Sequence, residues 1–137
     1  MAGHKAAIAA PTWPGINGSL IPEYMFRSPG GLMNLIENKI SIHFIHRLLA
    51  FFLLCLILYW TFLAVKIKSG SMFNKIKWLP LTLILLQALL GIITVLTSIK
   101  IIPNQWGMFE WMAQLHQFTA MLLLLSLVWS AYLLKTK

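Results

Sequence analysis

Three histidines stand inside otherwise apolar sequence. His43 and His46 lie in Ile40-Ser41-Ile42-His43-Phe44-Ile45-His46-Arg47-Leu48-Leu49-Ala50, and His116 lies in Gln114-Leu115-His116-Gln117. Arg47 is followed by eighteen residues without a charge, Leu48 to Val65. An ionisable side chain at the mouth of a membrane helix is costly to desolvate and so has a partner there. Neutral imidazole is also the side chain that most often ligates metals. Each residue has a plainer reading as well. His116 taken alone can serve as an interhelical hydrogen-bonding group, and His43 is expected to be interfacial and solvated. His43 and His46, at i and i+3, can approach one metal together, but no carboxylate or cysteine nearby completes such a site.

The elements that must position these residues follow from composition. The chain has 137 residues, of which 59% are hydrophobic and 10% charged, against about 25% charged in an average soluble protein. That excludes a soluble globular domain. Three stretches reach the roughly 20 apolar residues that a membrane span needs: about 43–65, 78–99 and 112–134. The formal net charge of +8 does not point to nucleic acid, because the lysines gather at the ends of the apolar runs, as membrane-flanking residues do. The single cysteine, Cys55, sits in mid-span and has no intrachain partner. Residues 1–40 contain no continuous apolar core of a signal peptide.

The predicted fold is all-α: an integral membrane bundle of three transmembrane helices over 40–137, with an N-terminal extramembrane cap over 1–39. In the cap, Pro11, Pro14, Pro22 and Pro29, with Gly15, Gly18, Gly30 and Gly31, forbid a long helix. Trp13, Ile16, Leu20, Ile21, Tyr24, Met25 and Phe26 make it too apolar for a solvated tail. It is expected to fold over the bundle, with a short interfacial helix at Leu32 to Ile36. Asn38 is the expected N-cap of the first span, which runs from about Ile40 to Val65. A connection over 67–77 leads to a second span from near Trp78 to Ile99, with Pro80 in its first turn, where its missing N–H does no harm. The third span runs from about Trp111 to Leu134.

The side holding the 67–77 connection and the C-terminus carries six lysines: Lys66, Lys68, Lys75, Lys77, Lys135 and Lys137. The other carries five basic residues and all three acids, Glu23, Glu37 and Glu110. The dense lysine side is assigned to the cytoplasm, which puts the cap on the extracytoplasmic face of the cell membrane. A translocated start of 39 residues without a signal suggests an upstream helix that this sequence lacks.

With three alternating spans, the first and third run in the same direction. His46 and His116 then lie at similar depth near one membrane face. Two neutral imidazoles from facing helices at matched depth are what six-coordinate haem iron requires. His46 and His116 are therefore the candidate iron ligands. Arg47 is the candidate partner of a haem propionate, through a bidentate guanidinium–carboxylate pair. In the second span, Gln87, Gly91, Thr94 and Ser98 share one helix face. Gly91 reads there as a helix-packing position rather than a site residue, tolerant of alanine, and Gln87 is placed to bond to another span. Nothing resembles a nucleophilic triad, a phosphate-binding loop or a paired-carboxylate site, so no catalytic residue is assigned.

In this order the residues resemble the heme A synthase family. The matching pieces are Lys5-Ala6-Ala7 through Ala10-Pro11-Thr12-Trp13-Pro14, Ile16-Asn17-Gly18-Ser19-Leu20-Ile21-Pro22, Asn34-Leu35-Ile36-Glu37-Asn38, Phe44-Ile45-His46-Arg47, Gln87-Ala88-Leu89-Leu90-Gly91-Ile92-Ile93-Thr94 and Leu115-His116-Gln117. They follow the family's order over nearly the whole chain. The family is built from two similar four-helix halves, and this sequence resembles the C-terminal half lacking its first helix. The resemblance implies haem ligation by His46 and His116, haem b as the bound cofactor, and heme O as the family's substrate. It also implies a missing helix or second half-unit as partner, or a homo-oligomer. Two family features are absent: the first half's loop cysteine pair and its glutamate just before the ligating histidine. Glu37 matches a family glutamate at the helix entrance. The leading reading is thus a half-unit of heme A synthase, an oxidoreductase that hydroxylates a porphyrin methyl to a formyl group, active if complemented by the missing half. The competing reading is a non-catalytic haem-b electron-transfer or membrane-anchor subunit, like the three-helix anchors of succinate dehydrogenase. Those anchors lend one haem histidine per subunit, whereas two are placed here. A third reading is a haem-free assembly protein with purely structural histidines.

Overall fold

The structure, a computed structural model, describes residues 6–22, 37–68, 70–102 and 105–135. Among these residues the regular secondary structure is helical, apart from one isolated antiparallel bridge between Ile16 and Ser19. A single turn, α1 (Ala6–Ala9), precedes α2 (Lys39–Lys66), α3 (Ser71–Ile76), α4 (Leu79–Thr97) with a 3-10 turn over Ser98–Lys100, and α5 (Met108–Lys135). Three segments are long and apolar enough to cross a membrane: Lys39–Lys66, Ser71–Lys100 and Met108–Lys135. The expected short helix at Leu32 to Ile36 lies outside the described residues.

The helix ends follow local chemistry. Asn38 caps α2 as expected, its side-chain oxygen accepting from the Ile40 N–H at 2.8 Å. Pro80 is the second residue of α4, where no intrahelical donor is needed. Glu110, in the first turn of α5, accepts the Gly107 N–H at 2.8 Å, the reciprocal half of a capping box. One element departs from the expected plain connection over 67–77: the helical turn α3. Phe73 is almost fully buried there, in edge contact with Trp60 of α2 at 6.5 Å. Burial of that ring stabilises a helix too short to persist alone.

Packing is most extensive between α4 and α5, and sparser between α4 and α2. The three spans share a core of Ile57, Ile84 and Leu123, one from each helix, flanked by Leu54, Leu81, Leu83 and Leu127. Small polar residues line the rest of the contacts. Thr61 donates to the Ile57 carbonyl, Ser126 to Leu123 and Ser130 to Ser126, at 2.7–2.8 Å. Each hydroxyl is satisfied within its own helix, so it allows close approach without an unpaired polar group. Most large apolar side chains point outward, among them Leu48, Phe52, Phe62, Leu124 and Val128. That is the arrangement of helices whose surrounding medium is hydrocarbon.

Candidate functional site: a histidine pair between two spans

His46 comes from the second turn of α2 and His116 from the third turn of α5. Their rings meet across the bundle, centres 6.3 Å apart and planes at 67°. Two imidazoles bonded at about 2 Å on opposite sides of one metal have their ring centres about 6 Å apart. His46 is exposed and His116 half-buried.

The His116 ring is fixed by α4. Its Nδ1 lies 3.0 Å from the main-chain oxygen of Gln87, and its Nε2 lies 3.3 Å from the side-chain nitrogen of the same residue. A carbonyl oxygen only accepts and an amide nitrogen only donates. Both contacts therefore select one tautomer, with the proton on Nδ1 and the lone pair on Nε2. An Nδ1–H held by a main-chain carbonyl is the usual device that orients a ligating imidazole. Gln87 thus bonds to another span, as its sequence position suggested. Its Oε1 is buried and has no hydrogen-bond partner.

Gly91, one turn beyond Gln87, makes this approach possible. A Cβ added there would stand 3.0 Å from Cε1 of His116. Gly91 is a close-packing position as expected, but what it admits is the imidazole itself rather than a neighbouring backbone. The sequence alone could not distinguish the two. The remaining members of the stripe, Thr94 and Ser98, bond to Leu90 and Val95 carbonyls in their own helix.

Arg47 faces the N-terminal segment. Its Nη1 donates to the carbonyls of Pro14 and Gly15, both at 3.0 Å, and its Nη2 to that of Thr12 at 2.7 Å. The guanidinium lies 5.3 Å from the centre of the Trp13 ring, which stacks on Phe51 at 6.0 Å. The segment is shaped to offer these carbonyls. Thr12 Oγ1 donates to Gly15 and accepts from the Asn17 N–H, while Asn17 and Gly18 turn the chain at φ 50° and 88°.

His43 corrects an expectation. It is not interfacial and solvated but fully buried, its Nε2 accepting from Nε of Arg47 at 3.2 Å and its Nδ1 unpartnered. Residues 12–15 reach Arg47 from more than thirty positions away, a long-range closure onto the residue whose Nε–H His43 accepts. With its Nε2 engaged by Arg47, His43 has only Nδ1 left to offer another group. Among the described residues no three His, Cys, Asp or Glu side chains converge on one point. The arrangement suits a metal that brings most of its own ligands and needs only two from protein.

The family described as cytochrome oxidase assembly protein matches residues 1–128. A heme A synthase from Sinorhizobium medicae is 32% identical over 124 residues, which are 90% of this chain and 31% of that protein. The chain belongs to the heme A synthase family. Other relatives are the heme A synthases of Bradyrhizobium sp. ORS 278, 33% identical over 90% of this chain and 32% of their own length, and of Bartonella quintana, 34% identical over 74% and 28%. The chain therefore spans about a third of the length of the heme A synthases it matches. No solved structure matches it.

Proposed function

We propose that this chain is a haem-binding membrane unit of heme A synthase, in which His46 and His116 would hold the iron of a haem b. The observation that carries the reading is the histidine pair itself. Two rings from separate spans stand 6.3 Å apart, and one of them presents an unprotonated Nε2. Porphyrin supplies the iron's four equatorial nitrogens, so a pair without further protein ligands fits this group. Bound there, haem would supply one-electron chemistry. The chain's part is to orient two imidazoles and close one side of the site.

Arg47 belongs to the haem-binding set mainly through the segment it anchors. Three backbone carbonyls and His43 take four of its five N–H groups, leaving one Nη2 hydrogen for a propionate. The activity of the whole family member, conversion of heme O to heme A by oxidising a porphyrin methyl to formyl, requires a complementing half-unit, or a second copy of this chain. In this reading the unit lies in the cell membrane with its haem site near the extracytoplasmic face, an orientation that the lysine distribution supports.

Purification from membranes of cells supplied with haem tests the reading. The expected product carries one haem b per chain with a low-spin, six-coordinate spectrum. Preparations that remain free of haem, or hold it only five-coordinate, would remove the bis-histidine assignment.

A further inference from the structure

The geometry points to Gln87 as a two-part positioning residue for His116: a permanent main-chain tether on Nδ1 and a displaceable side-chain placeholder on Nε2. This rests on the haem reading above. An imidazole cannot both accept a hydrogen bond on Nε2 and ligate iron through it, so the Gln87 carboxamide must leave that nitrogen on loading. Its bond is built to be given up. The side-chain contact is the longer of the two, at 3.3 Å against 3.0 Å for the main-chain oxygen. The carboxamide's Oε1 makes no hydrogen bond there, so its acceptor does nothing to hold the group in place. The main-chain bond, by contrast, survives any side-chain movement. It keeps the proton on Nδ1, so the ring is already in the ligating tautomer before a metal arrives. Gly91 holds the ring against this carbonyl by leaving no Cβ in its way.

The two parts separate experimentally. In Gln87→Leu the tether remains and the placeholder is gone. Nitrogen NMR of the haem-free chain should still find His116 protonated at Nδ1. Titration with haem b should give an affinity about fivefold higher than wild type, the worth of one neutral hydrogen bond no longer displaced. A second measurement needs no variant: in wild-type protein the Gln87 carboxamide proton signals should shift on haem addition. Weaker haem binding by a folded Gln87→Leu chain, or carboxamide signals unchanged by bound haem, would overturn the placeholder and leave bis-histidine ligation standing. Failure of wild-type protein to take up haem at all would overturn both.

Discussion

At the scale of single residues, the site turns on what α4 does to His116. Gly91→Ala should not be mild. The new Cβ would meet Cε1 at 3.0 Å while the ring is held by the Gln87 carbonyl, so the ring must give by a few tenths of an ångström against its tether. Loss of an orienting partner costs about tenfold or more in metal affinity, and haem titration of the alanine variant should show it. Unchanged affinity would mean the ring yields without losing its tether. Arg47 poses a different question, since its bonds run to the cap rather than to the bundle. In Arg47→Ala, hydrogen exchange of the amides in 12–19 should quicken by about tenfold or more, since even one of the three charge-assisted hydrogen bonds lost is worth that much. If those amides kept their protection, Trp13 stacking on Phe51 would be the true anchor.

At the scale of elements, much was legible in sequence, for identifiable reasons. Uncharged runs with lysine ends marked the three spans, Asn38 marked the start of α2, and Pro80 fitted only a first turn. The similar depth of His46 and His116 followed from counting alternating spans. The burial of His43 did not, because burial depends on how segments distant in sequence come together, as residues 12–15 do on neighbouring Arg47. Nor did α3, although Met72, Phe73 and Ile76 carry helical apolar spacing that could have announced it. Packing energy is concentrated where the three spans meet. Leu123→Ala should therefore lower stability by about 2 kcal/mol or more, whereas Leu124→Ala, on an exposed face, should stay within about 0.5 kcal/mol. Thermal unfolding in one detergent would compare them, and equal effects would contradict the shared core of Ile57, Ile84 and Leu123.

At the scale of the whole molecule, α5 packs along α4 while α2 is held more loosely, and the histidine pair bridges the less closely packed helices. A group bound between the two rings would tie α2 to the other spans. The proposed orientation has its own test. With Cys55 replaced by serine, a cysteine at Ser71 should resist impermeant reagents in intact cells and react after lysis. Ready labelling from outside would invert the topology.

The central claim is that one iron is held by His46 and His116 and not by His43. It is tested most directly by the optical and electron paramagnetic resonance spectra of three haem-loaded variants. The six-coordinate low-spin signature should be lost in His46→Ala and in His116→Ala, and should persist in His43→Ala, whose ring is engaged with Arg47. Loss of the signature in His43→Ala with its survival in either of the other two would contradict the account.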